Sequence, residues 1–445
     1  MITKGIFASA VLLLAMTPVC ATDLLAVYRQ AQASDPIIAS ARFALDTMRE
    51  KVPQARADLL PIVALTGSKG NTRAVTEFTD QLPLDRNMDA WSWNLQLTQP
   101  LVRYSAVYAY RVATHVVEQA QAQYAQAQQD LVLQVSQAYF GVLIAQDAIC
   151  AADSQVAALN EQLALVTRGY QQGTHAVTDV DDTKSRLGSA RSQRIAAQND
   201  LENARADLEK LTGKAFDQGA DALAALQTTV TPPPPTPANN RTWMEQARKN
   251  HPLVQAARAA LEAAQLEIIK DSAAHMPTLD LVLNLGSNYS SHSLTTPDDF
   301  STRAMQIELA LKGTVPVYSG GAMSSKVREA VATMHKAEAD LETASRQAAT
   351  DAQQAYAGVT NGLGQIDAMN TAVASGHSAV KGNRVGYGLG IRINIDVLNA
   401  EQQLFAAQRD LSKARYTTLL QGLKLKAAAG ILGEDDLVAV NAMLH

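Results

Sequence analysis

Polar and ionisable side chains gather at two turns of the sequence, each of which lies between long helical stretches. The candidate residues are Gln162, Tyr170, Asp179, Asp181 and Asp182 at the first turn and Arg384, Tyr387, Arg392, Asp396 and Asn399 at the second. A carboxylate in the first turn of a helix offsets the positive end of the helix dipole, which accounts for Asp179 and Asp396. That explanation leaves the neighbouring tyrosines and arginines without a role, so these turns are the candidate functional site.

The sequence contains no recognisable catalytic constellation. None of the 8 histidines lies in a His-Glu-x-x-His arrangement, and there is no Cys-x-x-Cys pair. His175 lies in the first turn and His251 precedes Pro252, positions that favour helix capping or solvation over metal binding. Gly386-Tyr-Gly-Leu-Gly390 is glycine-rich, but it joins two helices and follows no strand, as a nucleotide-binding loop would. We therefore predict neither an enzyme nor a bound cofactor or metal.

A proline-free stretch between Pro100 and Pro232 contains the helices that position the first turn. Its apolar residues recur with alternating steps of 4 and 3 positions. They are Leu131, Val135, Ala138, Val142, Ala145, Ile149, Ala152, Val156, Leu159, Leu163, Val166 and Tyr170. This period of 3.5 residues predicts left-handed supercoiling against neighbouring helices. A helix over residues 102–168 would be about 100 Å long at about 1.5 Å per residue, which indicates a function that requires reach.

The whole arrangement occurs twice in the chain. Pro36 and Pro61 are 25 positions apart, as are Pro252 and Pro277. An interval of 39 positions between prolines, one of 31 between tyrosines and one of 9 from tyrosine to aspartate also occur in both copies. A proline-rich segment, which cannot be helical, separates the two copies. The predicted organisation is a signal peptide over 1–21, a first repeat over 22–230, a linker over 231–240 and a second repeat over 241–445.

The amino terminus has the pattern of a secretory signal peptide. A lysine precedes an apolar stretch over 11–16, and Val19 and Ala21 supply the small residues of a cleavage site after Ala21. Cys20 lies in a poor context for lipidation, and cleavage leaves Cys150 as the single cysteine, which we place on packed helix surface. The formal net charge of −5 over 445 residues gives no electrostatic footprint for nucleic acid.

Four segments change to a period of 2, two in each repeat. The first follows Pro61, and the other three cover 91–97, 279–285 and 307–311. Polar loops are expected near 68–89 and 287–303. This alternation fits either a soluble sheet with one face on a core or a membrane β-barrel. We favour the barrel because the chain carries an export signal and no evident membrane helix. Since four strands cannot close a barrel and an open edge is not viable in lipid, several chains must share it.

The order of helix, two strands, long helix, glycine turn and helix, repeated once, resembles the TolC family of trimeric outer-membrane exit ducts. The segments that carry the resemblance are Leu60-Pro61, His275-Met-Pro-Thr-Leu-Asp280, Pro316-Val-Tyr-Ser-Gly-Gly321, Gly386-Tyr-Gly-Leu-Gly-Ile-Arg392 and Asp396-Val-Leu-Asn399. It covers residues 22–445. The resemblance implies a mainly α fold of long coiled-coil hairpins with a small membrane β part. Three chains would complete a 12-stranded β-barrel and a helical periplasmic tunnel.

The resemblance also implies roles for the residues at the two turns. A closed periplasmic gate would be formed by Gln162, Tyr170, Asp179, Tyr387 and Arg392. In that gate Tyr387 would bond Asp179, and Arg392 would reach Gln162. The surface that docks partner proteins would be marked by the turn glycines Gly169, Gly173, Gly386 and Gly390.

Acidic rings in the pore are a further implication of the resemblance, and here the sequence departs from the family pattern. Asp396 would point into the pore. Asn399 occupies the position of a second pore acid, whereas its counterpart in the first repeat is Asp182. Either Asp182 supplies the second acidic ring, or the pore has one ring fewer. Arg384 also stands where the family pattern has an acid. These departures change the expected bonding of the closed mouth.

The predicted function is a passive conduit across the periplasm and the outer membrane of a Gram-negative cell. The implied partners are two further copies of the chain, a periplasmic adaptor, an inner-membrane ABC or proton-driven transporter, and outer-membrane lipid. The alternative is a structural coiled-coil spacer or adhesin of the envelope, which the alternating strands disfavour. The cargo remains open, because drug efflux and type I protein secretion would use the same duct.

Overall fold

The computed structural model describes residues 22–77, 79, 82–214, 223–227 and 231–444. The predicted signal peptide over 1–21 and Cys20 lie outside the described residues. The chain divides into two compact units. The first combines the segment up to Ile38 with Gln128–Met244 and the segment from Asp351 onward, and the second combines Ala39–Ala127 with Glu245–Thr350. Each unit therefore contains chain from both predicted repeats.

The helices of the described residues are numbered in chain order. They are α1 (Leu24–Ser34), α2 (Pro36–Arg49), α3 (Lys51–Ala57), α4 (Tyr104–Gln171), α5 (Val177–Thr212), α6 (Asn240–Asn250), α7 (Pro252–Ala273), α8 (Ala322–Gly388), α9 (Asn394–Ala428) and α10 (Glu434–Asn441). The segment that precedes Pro61 forms the three short helices α1, α2 and α3. Pro36 begins α2, where its missing N–H is not needed, and the Asp35 carboxylate accepts from the Ile37 N–H at 2.8 Å.

The predicted long helix is confirmed and extends over 68 residues as α4. Its heptad positions from Leu131 to Val166 are buried or half-buried, whereas Tyr170 at the end is 49% exposed. One 18-residue window of α4 is apolar enough to cross a membrane, with mean hydropathy 1.3, and 28% of that window is buried. Core helices of soluble proteins satisfy the same criterion, so this window is weak evidence for a transmembrane helix.

Small apolar clusters pack the helices of the first unit along their length. Leu159 of α4 packs against Leu187 and Ala190 of α5 and against Leu398 of α9. Val380 of α8 packs in the same way against α9. These thin seams match a chain rich in alanine, since small residues let helices approach closely without one large core. Cys150 is exposed on α4, so its predicted place on packed helix surface is wrong.

Four antiparallel strands form one sheet in the second unit. They are β1 (Ile62–Thr76), β2 (Leu84–Val102), β3 (Thr278–Ser290) and β4 (Thr302–Thr314), in the order β1-β2-β3-β4. The loops predicted near 68–89 and 287–303 are shorter than expected, because polar residues there belong to strands. Ser68 bonds Ser92 at 2.8 Å, and the Asn71 side-chain amide donates to Asp89 at 2.8 Å. Such cross-strand polar pairs stabilise a ribbon that composition alone assigns to a loop.

The strand register separates the sheet into an apolar and a polar face. One row across all four strands is Val63, Leu97, Leu283 and Leu309, and the next is Leu65, Leu95, Leu285 and Ile307. The intervening row on the other face is Ala64, Gln96, Asn284 and Glu308. Ile307 is 72% exposed and Leu65 is 71% exposed, so the apolar face is uncovered in the single chain.

Candidate functional site

The two turns form hairpin tips with the same backbone path. We call residues 169–179 the first tip and residues 386–396 the second tip. The Thr174 N–H donates to the Gly169 carbonyl at 2.9 Å, and the Ile391 N–H donates to the Gly386 carbonyl at the same distance. Gly173 and Gly390 have φ values of 77° and 76°, a left-handed conformation that favours glycine. The duplication therefore extends to individual hydrogen bonds.

The other glycine of each tip leaves space for a side chain that folds back over it. A Cβ atom on Gly169 would lie 1.7 Å from the His175 ring, and one on Gly386 would lie 2.8 Å from Cγ of Arg392. His175 and Arg392 are 217 positions apart, so they are counterparts in the repeat. The tip glycines thus have a conformational role in the structure, and their predicted role in docking partners stays a prediction.

A buried polar cluster joins the helices beneath the tips. The Gln162 side-chain amide donates to Oδ1 of Asn394 at 2.5 Å, and Nδ2 of Asn394 donates to Oγ1 of Thr183 at 3.0 Å. Thr183 in turn donates to the Asp179 carbonyl at 2.7 Å. Asn394 and Gln162 are only 2% and 7% exposed. We call Gln162, Asn394, Thr183 and Asp179 the tip cluster. Its hydrogen bonds satisfy buried amide groups, which would cost free energy if they were left unpaired.

Tyr387 of the second tip contacts the first tip by ring stacking. Its ring is 5.6 Å from the His175 ring with an angle of 10° between the planes. The resemblance paired Tyr387 with Asp179, and in the single chain its ring partner is His175. Burial raises the pKa of the Tyr387 hydroxyl, and the negative charge of Asp179 raises it further.

Arg392 and Gln162, which the resemblance paired, have different partners in the single chain. Nη1 of Arg392 lies 3.7 Å from Oδ2 of Asp396, one turn further along, and Gln162 bonds Asn394. Asp396 is half-buried in the first turn of α9. Its predicted position in an acidic pore ring stays a prediction.

Two arginines, one on α8 and one on α5, bind side chains of α9. Nε and Nη2 of Arg384 donate to Oε1 of Glu401 at 2.9 and 2.6 Å, and the Glu401 side chain is 5% exposed. Arg186 of α5 donates to Oδ1 of Asn399 at 2.8 Å. Arg384 and Asn399, the two departures from the family pattern, are thus both engaged within the chain. Asp182 is exposed, and its role as a pore acid stays a prediction.

The outer surfaces of the two tips differ in polarity. Leu389, Ile391 and Ile393 of the second tip are 70%, 75% and 63% exposed. The residues at the same places in the first tip are Gln172, Thr174 and Ala176. At these three matched positions the second tip therefore presents large apolar side chains that the first tip lacks.

Sequence reasoning missed several residues of this site. Asn394, Thr183, His175 and Glu401 received no role in it, although all four have partners here. A comparison of the repeats could have identified Asn394, because the first repeat has the apolar Val177 at the same place. In the structure Val177 is 51% exposed. The expectation that His251 caps a helix is confirmed, since its Nδ1 accepts from the Leu253 N–H at 3.2 Å.

The chain matches known proteins over nearly its whole length. The family model described as outer membrane efflux protein matches residues 27–214 and 243–431, one segment in each repeat. The chain is 32% identical over 441 residues to outer membrane protein TolC of Vibrio cholerae, covering 99% of this chain and 98% of that protein. It is 31% identical over 436 residues to alkaline protease secretion protein AprF of Pseudomonas aeruginosa, covering 97% and 89%.

A solved structure supports the same assignment at the level of the fold. The outer membrane protein VceC of Vibrio cholerae has a TM-score of 0.76 to this chain at 20% identity, over 92% of this chain and 96% of that one. This chain belongs to the outer membrane efflux protein family. It is an outer-membrane channel with a periplasmic part, as predicted, and its relatives are channel proteins of efflux and secretion. Nothing in these matches supports the alternative of a spacer or adhesin.

Proposed function

We propose that the chain is the exit duct of an export machine that spans the cell envelope. Three copies assemble into one channel, which receives cargo from an inner-membrane ABC or proton-driven transporter through a periplasmic adaptor. The hairpin tips form the gate at the periplasmic mouth. The observation that carries this proposal is the sheet of the second unit, with one apolar exposed face and two outer strands, β1 and β4.

The sheet has the properties of one third of a membrane barrel. Its apolar face is exposed in the single chain, and its opposite face carries amide, hydroxyl and carboxylate groups that suit a water-filled lumen. The outer strands β1 and β4 have unpaired backbone groups along one side, which are not viable in lipid. Pairing β4 of one copy with β1 of the next satisfies both edges and gives a closed barrel of 12 strands from three copies of four.

Aromatic residues lie at the end of the apolar face that is nearest the loops. Trp91 and Tyr289 stack with ring centres 5.9 Å apart, and the Arg303 guanidinium lies 5.7 Å from the Trp91 ring. Aromatic rings with a polar edge are enriched where the hydrocarbon of a bilayer meets water. This pair supports the placement of the apolar rows within the membrane.

Matched arginine substitutions on the two faces test the barrel. Leu283→Arg and Leu309→Arg would put a charge on the lipid side, at a cost of about 2–4 kcal/mol near the bilayer midplane. Asn284→Arg lies in the same strand as Leu283 but on the lumen side, where the charge meets water. We expect the leucine variants to reduce the trimer in outer-membrane fractions and the asparagine variant to assemble. Equal assembly of all three, or a monomer in native mass measurement of the parent, would contradict the barrel.

The gate is supported by the contacts that hold the two tips together. The tip cluster and the Tyr387–His175 stack connect α4, α5 and α9 with the two turns. Because three symmetry copies multiply each lost contact, weakening them should open the mouth. Tyr387→Phe combined with Arg392→Ser removes the contact of the Tyr387 hydroxyl with His175 and that of Arg392 with Asp396, and it should raise single-channel conductance in planar bilayers. If the double variant conducts no more than the parent, these residues have no role in the gate and only cap helices.

The cargo class is open between protein and small molecules and is tested separately. AprF is named for secretion of alkaline protease, which supports protein export by a type I system for this chain as well. Efflux of small molecules would use the same duct. Expression in a strain that lacks its own duct, with secreted protease and drug tolerance measured in parallel, distinguishes the two. If neither protease secretion nor drug tolerance is restored, the proposed partners are contradicted. A conducting trimer would still support the channel.

A further inference from the structure

Two histidines outside the tips contact a glutamate three positions further along the same helix. Nδ1 of His115 lies 2.8 Å from Oε2 of Glu118 on α4, and Nδ1 of His335 lies 3.0 Å from Oε2 of Glu338 on α8. His115 also has a carboxylate from a second helix, since Oε2 of Glu262 on α7 lies 3.2 Å from the same nitrogen. All three residues belong to the second unit. This is the one such three-residue group found within the described part of the chain.

In this group two carboxylates share one ring nitrogen. Both carboxylates approach the same ring nitrogen, and that nitrogen can carry a single N–H. Two carboxylates that share one site also repel each other, which a cation would relieve. A divalent metal ion at the centre would be bound by all three side chains.

The geometry fits a small transition-metal ion. The three ligand atoms lie within 4.8 Å of one another, and the nitrogen–oxygen distances are 2.8 and 3.2 Å. Ligands at about 2.0–2.2 Å around a tetrahedral zinc ion lie about 3.4 Å apart, so small side-chain shifts complete the site. One imidazole with two carboxylates suits zinc, cobalt or nickel, whereas calcium and magnesium prefer oxygen ligands alone.

A cavity of about 430 Å³ gives access to the group. One face of α4 lines it with Glu118, Gln121, Ala122 and Ala125, and one face of α7 lines it with Gln255, Arg258, Ala259 and Glu262. The small alanine side chains leave this space unfilled, and the glutamate side chains are about half exposed. A metal ion could therefore enter from solvent and keep a water ligand in its open position.

We propose that His115, Glu118 and Glu262 bind one divalent transition-metal ion, which connects α4 to α7 within the second unit. Three protein ligands with an open fourth position distinguish this site from a closed structural zinc site. The ion would hold in place the segment of α4 that follows β2.

The test is a cobalt titration of the full-length protein in detergent, purified without a histidine tag and treated with chelator. We expect one Co²⁺ per chain, with a visible absorption band from bound cobalt, and competition by Zn²⁺. Glu262→Gln leaves the His115–Glu118 pair intact and so converts the group into the kind of pair found at His335. Loss of this ligand should weaken binding by at least about 100-fold, the upper range for groups that only support a ligand.

The second His–Glu pair of the chain supplies the matched control. His335→Ala should leave the cobalt stoichiometry and the absorption band unchanged, and Glu118→Gln should repeat the loss seen with Glu262→Gln. Circular dichroism and native mass of each variant show whether it is folded and assembled. Failure of the folded parent to bind cobalt, equal binding by parent and Glu262→Gln, or loss of binding in His335→Ala would each overturn the proposal.

Discussion

The two hairpin tips share one backbone design but carry different side chains. Each has a left-handed glycine at the same position and a second glycine beneath a folded-back side chain, His175 in one tip and Arg392 in the other. The second tip exposes Leu389, Ile391 and Ile393, where the first tip has Gln172, Thr174 and Ala176. Duplication has thus preserved the turn, whose geometry depends on glycine, while side chains that do not affect the turn have diverged.

The difference between the tips extends to the helices behind them. Asn394 is buried in the tip cluster, while its counterpart Val177 is exposed. Glu401 is buried against Arg384, while its counterpart Lys184 is exposed near Asp181. At both of these matched positions the buried polar side chain belongs to the second hairpin, so substitutions there should have unequal effects.

The largest inequality is expected at the buried ion pair. Arg384→Ala leaves the Glu401 carboxylate buried without its partner, which should cost about 1.5–3 kcal/mol in the free energy of unfolding. Lys184→Ala removes only an exposed pair with Asp181 at 3.8 Å, worth about 0–1 kcal/mol. Thermal denaturation in detergent measures both. Addition of Glu401→Leu to Arg384→Ala should recover stability, and equal melting temperatures of the two single variants would contradict the inequality.

A smaller effect is expected in the tip cluster. Asn394→Ala removes the acceptor of the Gln162 amide and a donor to Thr183, which should cost about 1–2 kcal/mol because both are buried. Val177→Ala at the counterpart position should change stability little. Limited proteolysis of the tips and single-channel conductance should both increase for Asn394→Ala alone. The same response in both variants would show that the cluster has no special role.

The stack between the tips should contribute less again. A double-mutant cycle on Tyr387→Leu and His175→Leu should give a coupling energy of about 0.5–1.5 kcal/mol, as measured for aromatic pairs. Tyr170 is the counterpart of Tyr387 and is 49% exposed, so Tyr170→Leu should not couple to His175→Leu. Additive effects in the first cycle would rule out the stack.

The smallest effect is a pH dependence of the tips. The pKa of Tyr387 is raised in the folded chain, so its contribution to stability is complete below about pH 10 and is lost as pH rises through the folded value. The stability of the parent relative to Tyr387→Phe should therefore be constant below about pH 10 and fall above it. The buried Tyr416 titrates in both proteins, so the comparison cancels it. A constant difference throughout would contradict the raised pKa.

The sequence by itself determined the long helix, the two faces of the sheet, the position of the tips and the repetition of the whole arrangement. A period of 3.5 residues gave the long helix, a period of 2 gave the two faces of the sheet, and the glycine spacing located both tips. These patterns are readable because they record which side of an element is buried, and each arises within one element. The sequence misjudged the strand ends, because the polar pairs Ser68–Ser92 and Asn71–Asp89 become evident only after the strands pair.

The tertiary structure alone decided which residues meet. Asn394 bonds Gln162, 232 positions away, and Glu262 joins His115 from a different helix. Periodicity shows which face of a helix is buried but not which residues cover that face. The covering residues depend on how the helices are positioned against one another. Gln162 and Tyr387 were found from the sequence, yet their partners Asn394 and His175 follow from the packing of α4 and α5 against α9 and the second tip. The partner of each polar side chain is a property of the folded chain.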